Sequence, residues 1–446
     1  MKFSKALDLH EGEAVAFVGA GGKTSAIFTL ADELSAPVVA STTTHLGAWQ
    51  TAFADQHIIL EGPDSVPEFA SKTANTILLT GPTGEDDRLT GLDMDTLNDV
   101  HKICCLQGIS LLIEADGART KPLKAPADYE PALPAWADRV VVVAGLSGLG
   151  RPLTPAVVHR PEIFARLANL EMGDEIRVEH LAAVLRSPHG GLKHIPADAG
   201  RILFLNQAEG DIRKAQGAQL AGLIKDVYDR ILIGSLEQAG EDGPIFSAHS
   251  QTAGIILAAG GSERLGQSKQ LLDWCGKPFV VQVVDQAITA GLSPLVVVTG
   301  ADHVSVETAL SDRPVKLVHN PHWESGQSTS IKAGLGALPA RCDRAMFLLS
   351  DQPQVSPLLI RALIERHNQY RAPITAPMMR ERRGNPILFG NETFAAMSAI
   401  LGDLGGRGVF SKFKVDYTPW VDTRARFDVD LPGDFERLRR AYYKQS

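Results

Sequence analysis

Twice along the chain a short apolar run ends in a cluster of glycines and small residues, with a lysine close behind. Ala14–Val18 leads into Gly19-Ala20-Gly21-Gly22-Lys23-Thr24, and Gly254–Leu257 leads into Ala258-Ala259-Gly260-Gly261, with Lys269 following. An apolar run without alternation reads as a strand buried on both faces, and a loop without side chains lets backbone N–H groups approach an anion. Further apolar runs follow each opening: 37–40, 58–60, 111–114, 139–143 and 201–205 after the first, and 295–299, 316–319, 345–349 and 374–376 after the second. Helical patterns such as 25–34 lie between them. The expected fold is therefore α/β, with two doubly wound, mostly parallel sheet domains, the first built around a phosphate-loop-like turn. The segment 240–252 has two glycines, one proline and little periodicity, which places the boundary there and gives domains 1–240 and 251–446. The two opening loops differ in composition, so the halves are not an internal repeat.

Charge narrows the function. The 446 residues carry 44 Lys+Arg against 52 Asp+Glu, a formal net charge of -8, and no broad positive field for a nucleic-acid backbone is available. No stretch approaches the roughly 20 apolar residues of a membrane span, and the first 13 residues are too charged for a secretory signal, so a cytoplasmic protein with no membrane partner is expected. The four cysteines form no CxxC pair and read as reduced thiols, Cys104 and Cys105 as small buried hydrophobes.

In the second half, Arg264 and Lys269 add fixed positive charge to the glycine loop, suited to a triphosphate and to the charge that builds up during transfer. Asn320-Pro321 opens a polar turn before a helix, where Ser328 or Ser330 reads as an N-cap whose surroundings also suit base or ribose contacts. Met346–Leu349 runs into Ser350-Asp351-Gln352-Pro353, placing a carboxylate at the ligand-binding edge of a parallel sheet. Mg2+ prefers carboxylate oxygen plus substrate phosphates, which makes Asp351 the metal candidate. Arg382-Arg383 reads either as an anion clamp or as a solvated hairpin tip, and Asp430 as a second acid or a turn residue.

The string from Leu257 to Lys269 closely resembles the signature of MobA-like nucleotidyltransferases, with Leu265 where that family often has Met. The resemblance continues through Gly276-Lys277-Pro278, the turn after Asn320, Asp351-Gln352-Pro353, Gly384-Asn385-Pro386 and the segment Asp428–Asp434, where Leu431 replaces a threonine. It implies a Rossmann-like nucleotidyltransferase domain that binds nucleotide through Leu257, Ala258, Ala259, Gly260, Gly261, Arg264, Lys269 and Ser328. It also implies Mg2+ on Asp351 and Asp430, with Arg264, Lys269 and Asp351 catalytic. Alanine at Ala259, rather than glycine, goes with the branch that transfers CMP from CTP to molybdenum-molybdopterin and releases pyrophosphate.

In the first half, strand, glycine loop, Lys23-Thr24 and helix form a recipe for holding phosphates on a helix N-terminus, with Gly21, Gly22, Lys23 and Thr24 as nucleotide ligands. The loop is shorter than a Walker A motif, because Phe17 stands where that motif has its first glycine. Thr42-Thr43-Thr44-His45 and Glu114-Ala115-Asp116 would end strands at the same edge, the acids as a metal-polarising pair. Together with Gly145–Pro152 these segments resemble the YqeC-like family over about residues 10–235. That resemblance implies an accessory role toward selenium-dependent molybdenum hydroxylases, with a hydroxylase apoenzyme as partner. Both halves then point to maturation of molybdenum hydroxylases. Two other readings stay open: a transferase for another phosphorylated acceptor, and a cofactor carrier or insertion chaperone with a nucleotide-dependent switch.

Overall fold

The computed structural model describes residues 1–34, 37–67, 75–84, 88–261, 266–427, 429 and 432–443. Two expected site residues, Arg264 and Asp430, lie outside the described residues. The chain divides into two compact units, Met1–Ser250 and Gln251–Ser446.

The first unit is built on a nine-stranded sheet. Its strands are β1 (Ala14–Gly19), β2 (Val38–Thr42), β3 (Gln56–Ile59), β4 (Thr76–Thr80), β5 (Ser110–Glu114), β6 (Arg139–Gly145), β7 (Gly200–Asn206), β8 (Arg230–Gly234) and β9 (Ile245–His249). They lie in the order β9-β8-β7-β6-β1-β5-β2-β4-β3, all parallel except β9, which runs antiparallel to β8. Alternation sends Ala14, Ala16 and Val18 into one core and Val15 and Phe17 into the core on the other face. Helix α1 (Lys23–Glu33) buries Ala26, Ile27, Leu30 and Ala31 in the second of these. The chain leaves β1 for one half of the sheet and returns to build the other, so the end of β1 is a topological switch point, where such sheets hold ligands.

The segment expected as a linker is instead partly strand. Ile245 and Ala248 are buried in the core, and a register shift between Ile233 and Gly234 breaks the alternation that would have revealed β9. The Met1 ammonium donates to the Ile245 carbonyl at 2.6 Å, and the Ile245 N–H donates to the Met1 carbonyl at 3.1 Å. Strands β4 and β8 were also not expected. Both are five-residue runs buried on both faces, for which periodicity carries no signal.

The second unit holds an eight-stranded sheet: β10 (Ala253–Ala258), β11 (Leu295–Thr299), β12 (Lys316–His319), β13 (Arg344–Leu349), β14 (Ile374–Met379), β15 (Arg382–Arg383), β16 (Ile387–Gly390) and β17 (Val415–Pro419). The order is β12-β11-β10-β13-β16-β14-β15, with β17 beside β14. Strands β12, β11, β10 and β13 are parallel, whereas β16 is antiparallel to both neighbours. Helices α2 (Phe279–Ala290) and α4 (Pro357–Tyr370) pack in one core with Ile256 and Val297, and α3 (Gln327–Gly336) places Ile331 in the other with Ile255 and Val298. The switch point again falls at the opening strand, between β10 and β13. Both units are α/β with largely parallel sheets, and no helix among the described residues is long and apolar enough to cross a membrane.

Candidate functional site

In the second unit the register pairs Leu257 with Leu349, so the glycine loop after β10 and the acidic turn after β13 leave the sheet side by side. They border a cavity of about 400 Å3 whose walls include Ala259, Gly260, Lys269, Trp323, Ser330 and Asp351. Lys269 opens a 3-10 turn, and its ammonium meets Asp351 Oδ2 at 2.6 Å. A carboxylate and an ammonium are thus held together at the strand ends, Asp351 being only 9% exposed.

Gln270 holds the loop in shape. Its amide donates to the Gly260 carbonyl at 2.6 Å and accepts from Ser268 Oγ at 2.8 Å, with the side chain 1% exposed. Gly261 and Gly300 are sterically required, whereas a Cβ at Gly260 would meet open space. A Cβ at Gly261 would lie 2.8 Å from the Trp323 ring, and one at Gly300 would lie 2.7 Å from the Ala259 methyl. Across the cavity, Asn320 donates to Thr329 Oγ1 at 2.8 Å and to Ser330 Oγ at 3.0 Å, fixing the start of α3. The cap of that helix is Gly326 at φ 106, not a serine: Ser330 faces the cavity and Ser328 is buried within the helix.

The expected residues therefore divide. Leu257, Ala259, Gly260, Lys269 and Asp351 meet at the cavity, whereas Ala258 turns into the core and Gly261 packs on Trp323. Arg382 and Arg383 are exposed on a hairpin, and Arg383 stacks on Phe410 at 4.4 Å, the solvated alternative of the two readings. Sequence reasoning missed Gln270, Trp323 and Asp403, whose carboxylate accepts from the Gln327 N–H at 3.1 Å and also borders the cavity. Among the described residues no group of three or more His, Cys, Asp or Glu side chains is placed to hold a metal ion.

The first unit brings its motifs together through buried charge. Lys23 is 4% exposed; its ammonium donates to the Gly19 carbonyl at 2.7 Å and pairs with Asp116 at 3.3 Å and Glu114 at 3.7 Å. Thr24 Oγ1 donates to Glu114 Oε2 at 2.6 Å, and the Gly19 N–H donates to both Asp116 oxygens. Gly21 has φ 87, and a Cβ there would lie 2.5 Å from the Gly145 nitrogen, so the end of β6 explains why only glycine fits. Asn206 at the end of β7 donates to the Gly21 carbonyl at 2.7 Å. Thr42 Oγ1 donates to the Glu114 carbonyl at 3.0 Å, and His45 is exposed and takes no part.

Three further residues extend this network, and no motif announced them. Lys124 bridges Asp116 and Glu130, each at 2.7 Å, and Arg160 grips Glu130 with two nitrogens at 2.6 and 2.8 Å. Burial alone would raise the Glu130 carboxyl, but hydrogen bonds and charge from Arg160 and Lys124 outweigh it and hold it down at about 2. His159 is lowered to about 4, first by burial and then by the Arg160 and Lys124 cations. Both groups bind protons more weakly folded than unfolded, so their contribution to stability is lost as pH falls. The window runs from the ordinary histidine value of 6.5 down to about 4 for His159, and from 4.5 down to about 2 for Glu130. Thermal unfolding of the first unit should therefore come at progressively lower temperature as pH falls from 6.5, and His159→Gln should flatten the upper part of that slope. An unfolding temperature independent of pH over this range would contradict it.

Family models place this architecture. The model described as YqeC protein matches residues 15–162, and that described as MobA-like NTP transferase domain matches residues 254–416. The Escherichia coli (strain K12) protein named Uncharacterized protein YqeC is 33% identical over 239 residues, 50% of this chain and 88% of that protein. Nicotine blue oxidoreductase of Paenarthrobacter nicotinovorans is 30% identical over 195 residues, 42% of this chain and 95% of that protein. A probable molybdenum cofactor guanylyltransferase of Bacillus anthracis is 29% identical over 187 residues, 40% of this chain and 89% of that protein. The chain accordingly belongs to the YqeC family through its N-terminal half and to the MobA-like NTP transferase family through its C-terminal half.

Proposed function

We propose that the C-terminal unit transfers CMP from CTP to molybdenum-loaded molybdopterin, releasing pyrophosphate, and that the N-terminal unit binds a nucleotide in the service of molybdenum hydroxylase maturation. The observation that carries the first part is the meeting of the glycine loop, Lys269 and Asp351 on one cavity. That cavity adjoins a second of about 420 Å3, sharing Leu257, Gln327, Leu349 and Asp403, which gives room for two substrates side by side.

The donor set suits Mg2+. Asp351 offers a strand-end carboxylate on a cavity that Glu324 and Asp403 also border, with no group of three or more such side chains placed to hold a metal among the described residues, and this suits an ion that completes its shell with phosphate and water oxygens. Asp351 would hold it, and when bound it neutralises the triphosphate and polarises the phosphorus under attack. The chain's own residues do the rest. Backbone N–H groups of the loop receive phosphate oxygens, Gln270 keeps the Gly260 peptide in place, and Lys269 offsets the charge of the departing pyrophosphate. A phosphate of the acceptor attacks the α-phosphorus in line; the new P–O bond forms as the bond to pyrophosphate breaks, and no protein nucleophile is required.

Preference for CTP rests on Ala259, whose methyl sits on the cavity wall against Gly300. The test is pyrophosphate release with molybdenum-loaded molybdopterin and either nucleotide. CTP should be used about 100-fold faster than GTP at equal concentration, and Ala259→Gly should narrow that ratio. Equal rates would remove the cytidylyl assignment while leaving nucleotidyl transfer in place. In the N-terminal unit Gly21, Gly22, Lys23 and Thr24 are the proposed phosphate ligands, and Glu114 and Asp116, which pair with Lys23 at the same strand edge, are the proposed metal-polarising acids.

A further inference from the structure

Two strand ends of the first unit carry polar groups beside the glycine loop that phosphate binding alone does not use. Strand β7 closes on Asn206 and β8 on Gly234, with Ser235 next, and β7 lies two strands from β1 across β6. Asn206 is 4% exposed and joins three segments: its amide donates to the Gly21 carbonyl at 2.7 Å, and its oxygen accepts from the Leu236 N–H at 3.1 Å. The Ala208 N–H donates to the Gly234 carbonyl at 3.0 Å, which ties the two strand ends together. Glu209 follows, just before the helix Gly210–Ile224. One of its carboxylate oxygens accepts from the fully buried Ser235 hydroxyl at 2.6 Å, the other from the Arg213 guanidinium at 2.8 Å. Burial alone would raise this carboxyl, but Ser235 and Arg213 outweigh it and hold it below the usual range, so it stays ionised. An ionised carboxylate has about four acceptor positions, and these two bonds leave part of that capacity unused. Between Asn206 and Glu209, Gln207 keeps φ 60 while its side-chain oxygen accepts from Ser147 at 2.5 Å. A non-glycine residue holds that left-handed backbone only where its surroundings over-determine it, as they do at binding sites.

We propose that the N-terminal unit is selective for guanine nucleotides, with Glu209 as the residue that reads the base and Ser235 as the residue that positions Glu209. The proposal rests on the reading that the glycine loop after β1 holds phosphates. Neighbouring strands are about 4.8 Å apart, so the end of β7 stands roughly 10 Å from that of β1, within the reach of a nucleoside from its phosphates. Asn206 fastens the base-reading turn to the Gly21 carbonyl and so fixes the spacing of the two subsites. The choice of base follows from what a carboxylate can do, which is only to accept. Among the common bases, guanine alone places two adjacent donors, N1–H and the 2-amino group, on one edge. Adenine and cytosine would turn a ring-nitrogen lone pair toward the charge, and uracil offers a single N–H between two carbonyls.

The test uses the full chain with excess CTP and Mg2+, the CTP filling the C-terminal cavity. N-methylanthraniloyl derivatives of GDP, ADP and xanthosine diphosphate are titrated and followed by fluorescence anisotropy. The wild type should bind the GDP probe roughly 10- to 100-fold more tightly than the ADP probe, the discrimination of one bidentate base contact. Glu209→Gln puts an amide N–H where a carboxylate oxygen stood. Xanthine carries a carbonyl in place of the guanine amino group, so this variant should reverse the preference and bind the xanthosine diphosphate probe more tightly than the GDP probe. A variant that failed to fold would gain affinity for neither. Ser235→Ala should narrow the ratio of GDP to ADP affinity, a change that a merely structural role for the hydroxyl would not produce. Equal binding of GDP and ADP by the wild type, or a Glu209→Gln variant that still prefers GDP to xanthosine diphosphate, would overturn the base assignment and leave the phosphate loop in place. Binding of none of the three probes would sink the phosphate-loop reading and this proposal with it.

Discussion

Replacing Asp351 with asparagine should lower pyrophosphate release from CTP by about 100- to 1,000-fold, the loss typical of removing one preorganised electrostatic group from a reaction centre. The substitution keeps the shape of a side chain that closes β13 and removes only its charge, so the sheet and the adjoining loop should persist. Two consequences follow from the 2.6 Å pair with Lys269. The ammonium loses the carboxylate that holds it at the cavity. Adding Lys269→Met to the first variant should therefore cost less than the product of the two single effects. Pyrophosphate release unchanged in the asparagine variant would show that Asp351 serves the turn and not the reaction.

A second large effect is expected in the N-terminal unit. Lys23, Glu114 and Asp116 are 4%, 8% and 3% exposed, so Lys23→Met leaves two buried carboxylates short of a cation. Breaking a buried pair in this way costs about 3–5 kcal/mol, far more than the net worth of the pair itself. The loss should appear in urea unfolding of that unit, and Glu114→Gln in the same chain should recover part of it by removing one stranded charge. Asp116 keeps Lys124 at 2.7 Å, which is why the damage should fall mainly on Glu114. Unaltered unfolding in Lys23→Met would mean that this lysine is held by the backbone carbonyl of Gly19 and owes little to the acids.

What the sequence made legible were the strand ends. Gly19–Thr24, Gly260 and Asp351 each sit within a few residues of an apolar run, so their place at a parallel-sheet edge follows from local pattern alone. Glu114 likewise ends β5 beside β1, paired in register with Phe17. The groups that complete both sites are marked by no local signal. Gln270 belongs to no motif, and its part in the site follows only from its amide on the Gly260 carbonyl. Lys124 and Arg160 reach Asp116 and Glu130 from separate segments in the same way. The strand Ile245–His249 is hidden for a different reason, since a glycine- and proline-containing approach and a register shift conceal an edge strand that pairs with the strand just before it.

Likeness to known proteins leaves the chemistry open. Relatives of comparable identity carry names as different as nicotine blue oxidoreductase and probable molybdenum cofactor guanylyltransferase. Such names fix neither the base nor the acceptor, and the Ala259 wall of the first cavity is the feature that bears on the base.

The central claim is that the C-terminal unit is a turning-over transferase. The most direct measurement mixes the full chain with excess CTP, Mg2+ and molybdenum-loaded molybdopterin, and counts pyrophosphate and dinucleotide product per protein by enzymatic assay and mass spectrometry. The account predicts many equivalents of both, formed one to one and dependent on Asp351. A single retained equivalent of dinucleotide cofactor without continuing pyrophosphate release would contradict it and identify a carrier instead.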